Sequence, residues 1–299
     1  MQRFLSVAAV VSIAFSNVFA HAFFGDTGQQ DIQVKTQKVS GNVYMLQGRG
    51  GNIGALVGME GILLVDDDYK VVSDKLRDAL KELGSATPKF ILNTHWHGDH
   101  TEGNQVFGKD SIIVAHINVR KRLMDPPVVF GQHTPAYPSF ALPIVTYTQS
   151  ITLHMNGEEI RAVHYPNGHT DGDTVVFFVN SNVVHLGDDF FAGRFPFVDL
   201  DSGGSVQGLI NNLGHLITEI PAGAKLIPGH GQLSTLDDLK AFRQALVETS
   251  DIVQQAMKQN KTLDEIKKAG LPEKYKEWGS GFIKTDAWIE TIYKSYSKK

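Results

Sequence analysis

The chain has 299 residues, no cysteine and a formal net charge of −4 at neutral pH. That length gives ample material for a hydrophobic core, while the lack of cysteine excludes disulfides, thiolate nucleophiles and thiolate metal ligands. Mild acidity, with no dense Lys/Arg run outside the terminal KSYSKK, points away from a nucleic-acid partner.

Residues 1–22 read as a signal peptide. Arg3 precedes an apolar stretch from Phe4 to about Phe15, and small residues at Ala20 and Ala22 give cleavage-competent spacing. The run is short for a bilayer span, and no later segment is long and apolar enough to be one. The expectation is a mature chain from 23 to 299 that is exported, periplasmic or secreted, with no stable membrane anchor.

Short runs rich in β-branched and apolar residues follow: IQVKTQKV, NVYMLQ, IGALVG and GILLVDDD, each bounded by Gly or Asn and each predicted as a strand. Between the second and third, GRGGNIG lies in a strand–loop–strand context without the helix start that a phosphate cradle needs. It is expected to be a flexible hairpin near the active site. KVVSDKLRDALKEL shows helical spacing, with Val72, Leu76, Leu80 and Leu83 on one face. KFILNT returns to a buried strand.

Strands are then expected at SIIVAH, SITLHM, EIRAVHY, TVVFFV and NVVHLGD, and a helix at GSVQGLINNLGHLITEI. The part after KLIPGHG is mainly helical; Thr235/Asp238 and Thr262/Glu265 have helix-start spacing, the second as a capping box. MDPPVVFGQHTPAYPSFALP holds five prolines and is expected as an irregular loop, either a functional lid or a rigid surface excursion. The pattern is α+β: two sheets face to face with helices outside, in one domain whose C-terminal part is helical.

The most informative stretch is ILNTHWHGDHTEGN, which supplies His95, His97, Asp99 and His100. His95 and His97 share one side of an extended segment, as residues i and i+2 do. A helix beginning at Gly98 would swing Asp99 and His100 to a second point nearby, so the loop offers ligands to two adjacent metals. His169, Asp188 and His230 each lie at a predicted strand end, where loops converge. Imidazole and carboxylate together suit Zn²⁺, with Fe or Mn chemically permissible.

VDDD, HWHGDH, GHTDGD, LGDDF and PGHG, in this order, resemble the motifs of the metallo-β-lactamase superfamily over nearly the whole mature chain. The resemblance implies a four-layer αβ/βα sandwich holding two Zn²⁺. It implies that His95, His97 and His169 bind one ion, that Asp99, His100 and His230 bind the other, and that Asp188 bridges them. Asp66 would support the metal-bearing loop from behind, and Asp99 would also orient the nucleophile or relay a proton. Asp67, Asp68 and Asp189 are expected to point elsewhere, as solvated acidic turns.

The implied activity is hydrolysis of a small molecule by a metal-bound hydroxide, cleaving an amide, lactone, ester or thioester, with β-lactams the first candidate because export would place the enzyme among their targets. Two alternatives are an iron-dependent redox enzyme and a glyoxalase-type thioesterase. Oxygen- and nitric-oxide-reducing relatives carry Glu where His97 stands and add a flavin domain. Glyoxalase-type relatives share Asp188, but their glutathione substrate is usually cytosolic. The best-studied β-lactamases of the family have Cys in place of Asp188 and Lys three residues later; here that position is Phe191. Arg194 is the expected substitute for holding an anionic substrate, with His116 and His133 as further substrate contacts. Phe190, Phe191, Phe195 and Phe197 form either an apolar wall or core, and Ser139 and Ser205 are ordinary loop serines. No nucleic-acid partner is expected, and oligomeric state is left open.

Overall fold

The computed structural model describes residues 33–128, 131 and 133–297. The expected signal peptide lies outside them. Seven strands form one sheet in chain order: β1 (Lys35–Ser40), β2 (Val43–Gln47), β3 (Ile53–Gly58), β4 (Gly61–Val65), β5 (Phe90–Asn93), β6 (Ile112–His116) and β7 (Val145–Tyr147). The first four are antiparallel neighbours, and β4 to β7 run parallel. The parallel half needs three crossovers, and each contains helix. The helices are α1 (Ser73–Glu82), the single turns α2 (Gly98–Thr101) and α3 (Asn104–Phe107), and α4 (Ile117–Met124).

The second sheet has β8 (Ser150–Met155), β9 (Glu158–His164), β10 (Thr174–Phe178), β11 (Val183–His185) and β12 (Lys225–Ile227), in the order β12-β11-β10-β9-β8. Only β11 and β12 are parallel, and α5 (Val206–Glu219) lies between them in sequence. The chain ends in α6 (Leu236–Lys258), α7 (Leu263–Ala269) and α8 (Thr285–Ser297).

The sheets face each other across a core to which both contribute. Val43, Met45, Leu63, Val65 and Leu92 come from the first, and Ile160, Ala162, Val176, Phe178 and Val183 from the second. Outside the first sheet, Leu46, Ala55, Leu64 and Ile91 pack under Leu76 and Leu80 of α1. Outside the second, Val175, Phe177 and Val184 pack under α5, α6 and α8, with Trp288 fully buried. Sheets with both faces covered read as continuous apolar runs, and TVVFF of β10 is buried at every position. The layers are helix, sheet, sheet, helix, as expected.

Thr262 and Glu265 form the expected capping box of α7; Thr235 and Asp238 form a second one at α6, where only a helix start was foreseen. Ser205 is the N-cap of α5, accepting from the Gly208 amide, and Ser139 opens a 3₁₀ turn. The expected hairpin flexibility is not what the structure shows. Asp68 accepts from the Arg49 and Gly50 amides at 3.0 and 2.8 Å, and the Gly51 amide donates to the Asp99 carbonyl. Past Met124, the described residues of the proline-rich segment are irregular apart from that 3₁₀ turn. Among the described residues, no helix is long and apolar enough to cross a membrane.

Candidate metal centre

Every residue of the site sits just beyond the end of a strand, on one rim of the sandwich. Asp66 follows β4, the 95–100 loop follows β5, His169 lies between β9 and β10, Asp188 follows β11 and His230 follows β12. β4, β5, β11 and β12 carry parallel pairings, so their C-terminal ends open on a common edge where loops meet.

There the side chains form two groups. His95, His97, His169 and Asp188 bring ligand atoms within 4.8 Å of one another, and so do Asp99, His100 and His230. Asp188 stands between them. Its Oδ2 is 3.8 Å from His95 Nε2 and 3.5 Å from His169 Nε2, while Oδ1 is 3.1 Å from His100 Nε2 and 3.5 Å from His230 Nε2. One carboxylate oxygen faces each set of imidazoles.

The nitrogens that face inward are fixed by what the opposite ring nitrogens do. His97 Nε2 donates to Asp199 Oδ2 at 3.0 Å, and His169 Nδ1 donates to the Phe197 carbonyl at 2.7 Å. This leaves His97 Nδ1 and His169 Nε2 facing each other at 2.8 Å. On the other side, His100 Nδ1 donates to Asp66 Oδ2 at 2.8 Å. Thr94 Oγ1 also donates to Asp66 Oδ2, at 2.7 Å, and accepts from His95 Nδ1 at 3.0 Å. The Thr94 amide completes the set on Asp66 Oδ1. Asp66 therefore orients one ring in each group, directly for His100 and through Thr94 for His95. Its backbone takes φ 65°, a left-handed conformation disfavoured for a residue with a Cβ, and the three hydrogen bonds hold it there.

The electrostatics follow from packing two carboxylates and five imidazoles out of water. Burial works to raise Asp188 and Asp99, but His100, His230 and, for Asp188, His169 overcome it and hold both carboxyls below their ordinary range. His100 and His230 are pulled the other way. Burial disfavours their charge, yet Asp188 and Asp99 raise His100 well above its usual value and His230 to about 9. Burial keeps His95 and His169 neutral, His169 at about 4.

Metal ions fit this arrangement. His95 Nε2 is buried without a hydrogen-bond partner, and inward-facing nitrogens of His97 and His169, and of His100 and His230, point at each other. Buried polar atoms without protein partners are rare, and a bound metal ion would satisfy them. The donor set contains only nitrogen and oxygen, as zinc or another first-row divalent ion accepts.

A cavity of about 190 Å³ lies over the two groups. His97, Asp99, Asp188 and His230 form its floor; Arg49, Tyr69 and Arg194 supply polar walls, and Phe191, Phe195, Phe197, Phe282 and Ile283 apolar ones. Arg194, expected as an anion-holding residue, lines this cavity. His116 and His133 are not in this wall. His116 hydrogen-bonds the Thr148 carbonyl and stacks on His164 with ring centroids 3.8 Å apart; His133 is exposed, with Nδ1 on the Thr134 carbonyl. Of the four phenylalanines, Phe190 is core against Phe242, whereas Phe191 stacks on His230.

The expectation of solvated Asp67, Asp68 and Asp189 is overturned: all three are buried. Asp68 ties down the hairpin, as above. Asp189, pushed up to about 8 chiefly by burial, lies in the Gly187–Asp189 3₁₀ turn, which directs successive side chains inward on different sides. Sequence reasoning also missed Asp199, Thr94, Arg49, Tyr69, Phe282 and Ile283; Thr94 and Arg49 lie in stretches singled out above, but nothing there marks their roles.

A model of the metallo-beta-lactamase superfamily matches residues 36–249. A relative from Methanocaldococcus jannaschii, described as a probable metallo-hydrolase, is 27% identical over 208 residues, covering 66% of this chain and 94% of the relative. Among solved structures, a metallo-beta-lactamase from Pontibacter korlensis aligns with a TM-score of 0.59 at 17% identity, over 72% of this chain and 99% of that one. The stereoselective inverting sec-alkylsulfatase Pisa1 from Pseudomonas sp. aligns with a TM-score of 0.67 at 13% identity, over 88% of this chain and 50% of that one. The motif order, the sandwich and the two facing ligand groups converge with the family match: the chain belongs to the metallo-β-lactamase superfamily, as a metal-dependent hydrolase.

Proposed function

We propose that this protein is an exported dizinc hydrolase that cleaves an amide, lactone, ester or thioester in a small anionic substrate. The observation that carries this reading is the placement of Asp188, with one oxygen toward His95 and His169 and the other toward His100 and His230. In this reading His95, His97 and His169 would hold one zinc ion and Asp99, His100 and His230 the other, with Asp188 offering a carboxylate oxygen to each group. Such a pair, when bound, supplies Lewis acidity and a water acidified to near neutral pH.

The chain's own residues do the rest. Asp66 and Asp199 lock ring orientations, so the centre is organised before substrate arrives. Asp99, held ionised, orients the attacking water and takes its proton. The water oxygen bonds to the carbonyl carbon, the bond from that carbon to the leaving atom breaks, and the proton passes to the leaving atom. Arg194 and Arg49 stand on the cavity wall as fixed positive charge for a substrate carboxylate, and the phenylalanine wall excludes water from the remainder. Support for export is the signal-like sequence of residues 1–22.

The test is to purify the mature chain, count metals by elemental analysis, and assay β-lactams, lactones, thioesters, sulfate esters and phosphodiesters with and without chelator. The expected result is about two zinc equivalents and hydrolysis of a carbonyl substrate that chelation abolishes and zinc restores. Turnover by metal-free protein would overturn the reading. Arg194→Ala is expected to raise KM for anionic substrates about tenfold with little change in kcat; an unchanged KM would remove Arg194 from substrate binding.

A further inference from the structure

Four of the five imidazoles in the two ligand groups have a hydrogen bond on the outer ring nitrogen, with Thr94, Asp199, Asp66 and the Phe197 carbonyl as partners. His230 is placed differently, through the backbone of the turn that carries it. Asn52 Nδ2 donates to the Pro228 carbonyl at 2.8 Å and to the Gly231 carbonyl at 3.0 Å, gripping the chain on both sides of Gly229 and His230. Gln47 Nε2 reinforces it, donating to the Gly231 carbonyl at 3.0 Å and to Asn52 Oδ1 at 3.1 Å.

Behind this turn lies a histidine outside both ligand groups. His185, the last residue of β11, is fully buried. The Gly187 amide donates to its Nδ1 at 3.2 Å, and its Nε2 donates to the Asn52 carbonyl at 3.0 Å. Two further bonds close the path: the Asn52 amide donates to the Gly229 carbonyl, and the Gly229 amide to the Gly187 carbonyl, both at 2.7 Å. The result is a closed ring running from Gly187 to His185, Asn52, Gly229 and back. Backbone amides only donate and carbonyls only accept, so the ring admits one form of His185, neutral with the proton on Nε2. Burial, which disfavours the charged imidazole, acts in the same direction. Gly54 leaves the space, since a Cβ there would stand 3.0 Å from His185 Cδ2.

The ring joins three segments that are distant in sequence. Gly187 immediately precedes Asp188, Gly229 immediately precedes His230, and Asn52 belongs to the hairpin whose Gly51 lies against His100. Hydrogen bonds in a buried circuit polarise one another, so its members open together or not at all. We infer that His185 is a positioning residue for the second ion: through this ring it sets the spacing of Asp188 and His230, and with it the geometry of the Asp99–His100–His230 group. This rests on the proposed two-ion reading of the same centre. His95, His97 and His169 keep their own partners, so loss of the ring falls mainly on the other ion.

The test combines nitrogen-15 spectroscopy of the imidazoles with zinc titration of the full chain against a competing chelator. At pH 7 the His185 resonances are expected to show a protonated Nε2 and a bare Nδ1, with and without zinc. His185→Phe keeps a flat ring and breaks two of the four bonds. It is expected to weaken one zinc equivalent about 10- to 100-fold while moving the other less than about threefold. His185→Gln returns a donor toward the Asn52 carbonyl and is expected to recover part of that loss. A charged or Nδ1-protonated His185 overturns the inference, and so does a His185→Phe chain that binds both ions as wild type does or weakens both alike, as general loss of the fold would. Uptake of one zinc ion by the wild-type chain, with the His185 signature intact and the Asn52 and Gly229 amides slow to exchange, overturns the two-ion reading and leaves the ring standing. Two ions in the wild type with no selective loss in His185→Phe does the reverse.

Discussion

At the scale of single residues, the centre depends on groups that never touch an ion. Asp66 reaches His100 directly and His95 through Thr94, so it serves both ligand groups, whereas Asp199 serves only His97. Losing a group that orients a ligand typically weakens metal binding ~10- to 100-fold. Asp66→Ala is therefore expected to weaken both zinc equivalents in a chelator competition, and Asp199→Ala only one. Equal effects from the two variants would contradict the assignment. Of these two residues only Asp66 was legible in the sequence, because it stands in VDDD after a predicted strand. Asp199 lies 102 positions from His97, in a turn whose path depends on how the 190–204 segment folds back, and its DLDSGG context marks only a turn.

At the scale of elements, the strand ends and ligand loops could be read from alternation and spacing, while the hairpin could not. Its sequence, rich in glycine, reads as flexible; the structure uses the missing side chains for close approach. A Cβ on Gly51 would stand 2.1 Å from His100 Cε1. Gly51→Ala is expected to push the His100 ring aside and lose about one of two zinc equivalents by elemental analysis, while circular dichroism stays native. Full metal content in that variant would show that the hairpin does not constrain the ring. The acidic turn was misread for a related reason. Side chains alternate between faces along a strand, but Asp188 and Asp189 lie in a 3₁₀ turn, where one faces the cavity and the other the interior under α5. A cap, by contrast, is local chemistry and was read correctly. Thr262→Ala removes the α7 box and is expected to cost about 1 kcal/mol in urea unfolding without changing metal content.

At the scale of the whole molecule, charge and fold are coupled through two sets of histidines. In the metal-free chain, His100 and His230 hold protons that Asp188 and Asp99 stabilise. Ions must displace those protons, so zinc binding at pH 7.5 is expected to release one from each ring, seen as a dependence of calorimetric enthalpy on buffer ionisation. No buffer dependence would contradict this. His116 behaves oppositely: burial first, and then the stacked His164, push it down to about 4. An unfolded imidazole titrates near 6.5. As pH falls from about 6.5 to about 4, the unfolded chain takes up a proton that the folded chain refuses, and stability is lost across that window. His116→Phe is expected to flatten this part of the urea-unfolding profile of metal-free protein; an unchanged slope would assign the loss to other groups. The sandwich itself was legible, since two sheets covered on both sides leave long apolar runs. The cavity was legible only in part, because Arg49, Phe282 and Ile283 reach it from opposite ends of the chain.

The most direct test is anomalous diffraction at the zinc edge from crystals of the zinc-loaded chain. The account predicts two peaks on either side of the Asp188 carboxylate, one among His95, His97 and His169 and one among Asp99, His100 and His230. A single peak, or peaks placed away from Asp188, would contradict it.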